Sequence, residues 1–208
     1  MLYTKDLVLR DITEDDLERH MTWELVDNEW HLWDGPWEYE GKSETELLVE
    51  AAGYVERLRE RMERLRTLPP DARRTTFHFA EKTDPARAIG WVNAYRIDDD
   101  CCWTPSGGRA AVGIDIPEIA FRARGYGTQA LSAFIAYLLE TETEIFLQTW
   151  SGNERMIRLA QRLGFVEYRR KKDLRTVRGK TWDGMTFRLD HTQFLTFGGE
   201  CETMSRKT

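Results

Sequence analysis

One stretch in the second half of the chain constrains the fold more than any other. A mostly apolar pattern at residues 110–116 is followed by two glycines one residue apart, Gly125 and Gly127, and then by apolar residues at helical spacing. A short apolar run at 145–150 and a second helical pattern at 153–163 come next. Two consecutive strands joined by a helical crossover are expected to be parallel, right-handed neighbours. The stretch therefore predicts a parallel strand pair inside an α/β sheet.

The remaining patterns surround that pair with further strands and helices. The predicted helices are residues 13–27 and 43–67, and the predicted strands are 7–10, 75–80, 89–95, 166–171 and 181–189. Short linkers between successive strands favour an antiparallel meander. The expected fold is a mixed α/β sheet flanked by helices, in a single domain over residues 1–190 with a C-terminal tail at 191–208.

Composition narrows the function classes. Of the 208 residues, 32% are charged and 12% aromatic, which is typical of one globular domain rather than a disordered chain. A formal net charge of -6 opposes binding to nucleic acid or to an anionic membrane, and no apolar stretch is long enough to span a bilayer. Three cysteines form no disulfide framework, and no Cys/His cluster has metal-ligand spacing. We expect a soluble cytoplasmic protein without a metal.

The glycine turn has the chemistry of a phosphate site. Gly125 and Gly127 allow a tight turn and leave its amides uncovered. The first turn of the following helix offers N–H groups without intrahelical partners at the positive end of the dipole, which favours a phosphate or pyrophosphate. Arg122 and Arg124 add positive charge at the rim. The sequence has neither the third glycine of a dinucleotide fingerprint nor the Gly-Lys-Ser/Thr of a Walker loop.

Two motifs resemble those of a known enzyme family. Arg122-x-x-Gly125-x-Gly127 resembles the Arg/Gln-x-x-Gly-x-Gly/Ala signature of the GNAT acetyltransferases, and residues 153–165, an Asn opening a helix that ends in Leu-Gly-Phe, resemble the family's second motif. The resemblance covers residues 7–189 and is closest to the branch of the ribosomal-protein-alanine N-acetyltransferases and their small-molecule relatives. It implies a GNAT-like acyl-CoA N-acyltransferase fold, in which a mostly antiparallel sheet contains one parallel strand pair that splays apart.

The resemblance also implies how the co-substrate acetyl-CoA would be held. Its pyrophosphate would bind the backbone amides of four consecutive residues, Gly125, Tyr126, Gly127 and Thr128. The pantetheine arm would pair with the strand edge at Ile114 and Ile116, where a backbone N–H would polarise the thioester carbonyl. Asn153 would hydrogen-bond the pantetheine or adjoining backbone. A second interpretation stays open, because Ser151 and Glu154 fit a capping box that would place Asn153 in the first helical turn.

The general acid departs from the family pattern. Many relatives carry a tyrosine, which reprotonates the leaving thiolate, at the position of Ala160. Here Tyr126, Tyr137 or a water would serve, or the thiolate would leave unaided, since a thiol pKa of about 8.5 makes the need for an acid modest.

The position of the general base also departs from the family pattern. The acceptor ammonium must lose a proton before it attacks, and relatives often place a glutamate on the strand before the glycine turn, where residues 111–113 offer none. The nearest carboxylates are Asp115 and Glu118, and Glu81 and residues 98–100 are remoter candidates. For Asp115 an ordinary solvent-facing strand position is the alternative.

The acceptor is left open beyond a primary amine, on a small molecule or a protein N-terminus. The tryptophan-rich residues 30–39 are either one wall of the acceptor pocket or a plug on the core. His78 is expected to be a surface or satisfied histidine, and the basic run 169–172 a solvated hairpin face. A homodimer is compatible with the sequence. The rival functions are a non-catalytic acyl-CoA-binding regulatory module and an interaction domain that uses the tryptophan-rich loop.

Overall fold

A computed structural model describes residues 1–198 of the chain. Over that range it has one sheet of nine strands and five α-helices. The strands are β1 (Leu2–Tyr3), β2 (Leu7–Arg10), β3 (Thr76–Glu81), β4 (Ala88–Ile97), β5 (Trp103–Thr104), β6 (Arg109–Asp115), β7 (Ile145–Trp150), β8 (Phe165–Val177) and β9 (Lys180–Leu189). The helices are α1 (Glu14–Leu25), α2 (Glu44–Thr67), α3 (Tyr126–Leu138), α4 (Glu154–Arg162) and α5 (His191–Gly198).

The sheet contains the predicted parallel pair. Its strand order is β1-β2-β3-β4-β6-β7-β9-β8, with β5 added against β4. β6 and β7 run parallel, with α3 as the crossover, and the other neighbouring strands of the described sheet are antiparallel. The expected mixed, mostly antiparallel sheet flanked by helices is confirmed.

Helices cover both faces of this sheet. Successive side chains of a strand point to opposite faces, and on β4 Val92 joins the main core with Leu131 and Phe134 of α3. Its neighbour Trp91 instead packs on Trp23 of α1, their ring centroids 5.6 Å apart. α2 packs on α1 through a separate apolar cluster. One face therefore belongs to α3 and α4, and the other to α1 and α2.

The helix starts differ in a way that matters for function. At α2 the Ser43 hydroxyl accepts the Glu46 N–H at 3.3 Å, and the Glu46 carboxylate accepts the Ser43 N–H at 2.8 Å, so side chains satisfy two of the free N–H groups. α3 instead has Gly125 as its N-cap residue, which supplies no side-chain cap. The first turn of α3 is thus left open to an external acceptor.

Polar side chains are buried where α1 meets the sheet. Arg10 donates to both carboxylate oxygens of Asp16 at 2.5 and 3.0 Å. Beside them, the Nε2 atoms of His20 and His78 lie 2.8 Å apart, and burial lowers the pKa of both imidazoles, to about 4 for His78. His78 is therefore a buried histidine satisfied by His20 rather than a surface residue.

Several boundaries differ from the sequence predictions. α1 ends at Leu25, β8 is longer than predicted, and the two-residue strands β1 and β5 were not predicted, because such short strands carry no periodic signal. The chain continues past the predicted domain end at residue 190 into α5, whose Phe194 is buried in the main core. The rest of the predicted tail, 199–208, lies outside the described residues.

Candidate active site

The parallel pair opens into a cleft. Pairing between β6 and β7 covers only residues 110–112 against 145–147, and ends at Val112 opposite Leu147. β6 continues to Asp115, still paired with β4 on its other side, and β7 continues to Trp150. In the described sheet the last residues of β6 therefore present an unpaired backbone edge towards β7, as predicted for a splayed pair.

The N-terminus of α3 lies beyond the end of β6. Gly125 has φ of 82°, a left-handed conformation that favours glycine, and no atom lies within 4 Å of a Cβ built there. The first helical hydrogen bond runs from the Gln129 N–H to the Gly125 carbonyl at 3.1 Å. The N–H groups of Tyr126, Gly127 and Thr128 come before this bond and therefore have no partner within the helix. They lie at the positive end of the helix dipole, an arrangement suited to an anion.

The two arginines of the motif have different surroundings. Nε of Arg122 donates to the Ile116 carbonyl at 2.7 Å, and its terminal nitrogens contact the Pro117 carbonyl and the Glu29 carboxylate. Arg124 is exposed beside the helix start. Arg122 therefore braces the segment after β6. Arg124 interacts with the Tyr126 hydroxyl and lies 5.9 Å from the Phe121 ring, but its exposure leaves it the more accessible of the two to an external anion.

Asn153 is the N-cap of α4. Its Oδ1 accepts the Met156 N–H at 3.1 Å and its Nδ2 donates to the Trp33 carbonyl at 3.0 Å, a carbonyl that also accepts the Trp150 indole N–H at 2.8 Å. The alternative capping box is wrong, because Ser151 lies before the helix and its hydroxyl accepts the Asp183 N–H at 3.0 Å. The side chain therefore orders both α4 and the backbone at Trp33.

The tryptophan loop, residues 28–39, crosses the cleft. It consists of two short 3-10 helices, Asn28–Leu32 and Pro36–Glu38, and a following turn. Glu29 pairs with Arg122 after β6 and also lies 3.5 Å from Arg155 of α4. Desolvation raises the pKa of Glu29, but the hydrogen bond from the Trp33 indole and the two guanidinium groups outweigh it and hold the pKa below its usual range. The Trp33 carbonyl reaches Asn153. The loop thus ties the two arms of the cleft together.

A cavity of about 730 Å³ lies on the α1/α2 face and reaches the free edge of β6. Its aromatic walls are Trp30, Tyr39, Tyr54, Trp91 and Tyr95. Its acidic lining consists of Glu24, Asp34, Glu38, Glu50 and Asp115. A second cavity of about 550 Å³ lies between the tryptophan loop and the β8–β9 hairpin, and Gln148 and Met156 line both. The two cavities form one cleft along the parallel pair.

Only some of the acids of the larger cavity have a side-chain partner. Glu24 lies 3.1 Å from Nε2 of His31, and Glu50 lies 2.6 Å from Nζ of Lys42. Within residues 1–198, three carboxylates of the cavity take part in no side-chain hydrogen bond or ion pair: Asp34, Glu38 and Asp115.

Asp115 and Asp34 are electrostatically unusual. Desolvation raises the pKa of Asp115 well above its ordinary value, the charges of Asp34 and Glu24 raise it further, and Arg122 opposes the change. Asp34 has exposed surface, but that surface lines the cavities, and desolvation together with Glu38 raises its pKa to about 6. Groups with such raised pKa values are suited to taking a proton near neutral pH.

The other candidate acids and bases are engaged elsewhere. Glu118 contacts Arg19, accepts the Trp23 indole N–H at 3.1 Å and lies 2.9 Å from Arg87. Its two oxygens are therefore held by cations and an indole rather than directed at the cavity, whose lining does not include Glu118. Of the remoter candidates, the residues 98–100 lie at the β4–β5 turn, where Asp98 accepts two backbone N–H groups.

The tyrosines considered as acids are also occupied. The Tyr126 hydroxyl donates to Glu81, and this hydrogen bond raises the pKa of Tyr126. The Tyr137 hydroxyl accepts the Arg74 N–H at 2.7 Å, and Tyr137 is on α3 eleven residues after Tyr126, about 16 Å along the axis. Neither hydroxyl lines the cleft cavities.

Sequence reasoning missed the acids that the first third of the chain contributes. Glu24 comes from α1, and Asp34 and Glu38 come from the tryptophan loop, which was considered as an acceptor wall only for its rings. The alternation of acids with aromatics in this loop was the available signal. Among residues 1–198 there is no group of His, Cys, Asp and Glu suited to a metal ion, and no helix there is long and apolar enough to cross a membrane.

Comparison with known proteins gives one family. The family model of the acetyltransferase (GNAT) domain matches residues 6–166. A GNAT-family acetyltransferase from Bacillus anthracis superposes with a TM-score of 0.64 at 12% identity, over 91% of this chain and 98% of that one. The ribosomal-protein-S5-alanine acetyltransferase from Vibrio fischeri gives 0.63 at 17% identity, over 90% and 95%. The spermidine N-acetyltransferase from Vibrio cholerae, solved with CoA and spermine, gives 0.62 at 17%, over 91% and 98%. No curated protein matches the sequence.

Proposed function

The chain belongs to the GNAT acetyltransferase family, and from that membership we propose that it transfers the acetyl group of acetyl-CoA to a primary amine by direct attack in a ternary complex. The pyrophosphate binds the amides of Tyr126, Gly127 and Thr128, with Arg124 at the rim. The pantetheine follows the free edge of β6 towards Asp115, and the amine enters through the acidic cavity. The single observation that carries the proposal is that one free strand edge adjoins both parts of the site: a Cβ on Gly127 at the uncapped start of α3 would lie 3.7 Å from Ile116, just past β6, and the unpaired end of β6 lines the acidic cavity through Ile114 and Asp115.

The proposed chemistry needs one base and one polarising donor. Asp115 accepts the proton that the acceptor ammonium must lose, and the neutral nitrogen attacks the thioester carbonyl. A backbone N–H near Ile114 stabilises the oxyanion of the tetrahedral intermediate. As this intermediate collapses, the C–S bond breaks, the new C–N bond is kept, and the nitrogen gives up its second proton, which the departing CoA thiolate takes up. We assign the base to Asp115 rather than to Glu118, because Asp115 lines the cavity unpaired while Glu118 is held by Arg19 and Arg87.

The cofactor half is tested at Gly127. A Cβ there would lie 3.6 Å from Leu159 and 3.7 Å from Ile116, ordinary contact distances, so Gly127→Ala should fold normally. Gly127→Val adds methyl groups at the mouth of α3 and should weaken acetyl-CoA binding, measured by calorimetry, by at least about tenfold, or 1.4 kcal/mol. A folded Val variant with unchanged affinity would overturn the pyrophosphate assignment.

The catalytic half is tested at Asp115. Removing a positioned base costs about 10²–10⁴ in rate, so Asp115→Asn should lower the rate of thiol release with an amine acceptor by that order and leave acetyl-CoA affinity intact. Glu118→Gln is the matched comparison and should retain turnover. A large loss confined to the Glu118 variant would transfer the role to that residue.

A second candidate, a non-catalytic acyl-CoA-binding module, is supported by Ala160, which replaces the tyrosine acid expected from the resemblance. The same assays separate the two functions. A pure binder takes up acetyl-CoA in a manner sensitive to Gly127→Val but releases no CoA thiol with any amine of a broad panel.

A further inference from the structure

Resting on the proposed function, we propose that the acceptor is a dication: a molecule that carries, besides the amine to be acetylated, a second ammonium group held by Asp34 and Glu38. The acceptor cavity carries more negative charge than a single reacting amine needs. The carboxylates form two groups, one at the reacting end and one elsewhere in the cavity.

The first group is at the reacting end. Asp115 is half-buried, its carboxylate faces the cavity, and it belongs to the β6 segment beyond the last pairing with β7. Asn93, also on the cavity wall, forms no side-chain hydrogen bond among the described residues, and its Oδ1 approaches Gly113 so closely that a Cβ there would lie 2.7 Å from it. An unpaired carboxylate and an unpaired carboxamide thus lie together where the thioester carbonyl is expected.

The second group comprises the carboxylates other than Asp115, whose negative charge the reaction itself does not need. The amine must be neutral when it attacks, and one carboxylate is sufficient to accept its proton. A further carboxylate beside the same nitrogen would stabilise the ammonium form and so oppose the reaction. Asp34 and Glu38 nevertheless face the same cavity without an ion-pair partner within residues 1–198. Of the basic side chains in the lining, His31 lies 3.1 Å from Glu24 and Lys42 lies 2.6 Å from Glu50, while Arg57 is exposed, with its guanidinium 5.8 Å from the Tyr54 ring.

The aromatic walls of the same cavity suit a chain of methylene groups that carries a cation. Trp30, Trp91 and Tyr54 enclose the cavity with aromatic surface, and the Tyr39 ring stacks on His31 with centroids 3.5 Å apart. Aromatic faces attract ammonium groups and pack against aliphatic carbon. A diamine therefore matches the acidic groups and the aromatic walls, whereas a monoamine leaves Asp34 and Glu38 without a cationic partner.

The test compares two acceptors of nearly equal shape. Initial rates with saturating acetyl-CoA are measured for 1,4-diaminobutane and for 4-amino-1-butanol, in which a hydroxyl replaces the second ammonium. We expect kcat/KM to favour the diamine by at least about tenfold. Asp34→Asn and Glu38→Gln should each reduce this preference, while Asp71→Asn, at an exposed residue outside the cavity, should preserve it.

A binding readout separates the dication proposal from the proposed function. Calorimetry with 1,4-diaminobutane alone should show binding that Asp34→Asn weakens severalfold. Diamine binding of this kind without thiol release would support the dication site and overturn the acetyl transfer. Thiol release with equal kcat/KM for both acceptors would support the transfer and overturn the dication site, as would a diamine preference insensitive to both Asp34→Asn and Glu38→Gln.

Discussion

The carboxamide of Asn153 donates to the backbone carbonyl of Trp33 across 3.0 Å, although the two residues are 120 positions apart in sequence. This hydrogen bond fastens the tryptophan loop to the start of α4, and the same carboxamide caps that helix. The family resemblance assigns Asn153 to the pantetheine arm. If both hold, acetyl-CoA and the Trp33 carbonyl compete for one N–H donor.

The two roles of Asn153 can be separated by substitution. Asn153→Ala removes both the cap and the donor, and loss of an N-cap costs about 1 kcal/mol of the free energy of unfolding. Asn153→Ser keeps a capping oxygen but lacks the carboxamide N–H that reaches the Trp33 carbonyl, so it should recover most of that loss in urea titrations. Equal destabilisation of the two variants would show that the contact with Trp33, rather than the cap, dominates.

Release of the tryptophan loop should favour cofactor binding. Glu29→Gln weakens the contacts of the loop with Arg122 and Arg155, so the Trp33 carbonyl leaves Asn153 more readily. We expect acetyl-CoA affinity, measured by calorimetry, to rise by a few fold, on the order of 0.5–1 kcal/mol. The exposed pair between Arg158 and Glu154 provides the control: Glu154→Gln should leave affinity unchanged. Weaker binding by Glu29→Gln would instead show that the loop helps to hold the cofactor.

Turnover should depend on pH through the carboxylates of the cavity. Asp115 acts as a base only when deprotonated, and because its pKa is raised, activity is expected to fall as pH falls through this raised value, nearer neutrality than for an ordinary aspartate. Asp34→Asn removes one neighbouring negative charge and should shift the acid limb of the kcat profile to lower pH, while desolvation keeps it above the ordinary range. A limb that stays in place would show that Asp34 does not influence the base.

The buried histidine pair predicts acid sensitivity of folding. His20 and His78 have lowered pKa values, chiefly through burial, so below about pH 6.5 the unfolded chain binds protons that the native chain does not. Stability is then present above the unfolded pKa and is lost as pH falls towards about 4, by up to about 1.4 kcal/mol per pH unit for each histidine.

Chemical denaturation at several pH values measures this loss. The double variant His20→Gln, His78→Gln should be less stable at pH 8 but should show a smaller decline between pH 6.5 and 5 than the unmodified chain. His191→Gln, at an exposed position on α5, is the control. An unchanged slope in the double variant would assign the acid sensitivity to other groups.

The sequence predicted the strands and helices around the parallel pair better than the arrangement of the cavity that faces them. The strand, the Gly125 turn, α3 and β7 are contiguous, so periodicity and turn chemistry were sufficient to place them. The arrangement of Asp115 with Asp34 depends on long-range packing, which no local pattern encodes. Glu118 is three residues from Asp115 and was an equally good candidate until the fold placed it between Arg19 and Arg87.

Because β6 and β7 pair over only three residues each, the groups on the two sides of the cleft come from different segments of the chain. Under the proposed function, the acidic wall that receives the amine comes mainly from residues 24–57, whereas the groups that bind the nucleotide end of the donor lie at 122–128. These two groups of residues approach each other where β6 and β7 separate, after Val112 and Leu147. Natural variation in the earlier segment can therefore retarget the enzyme to another nitrogen nucleophile while the later segment, and with it the source of the acyl group, stays as it is.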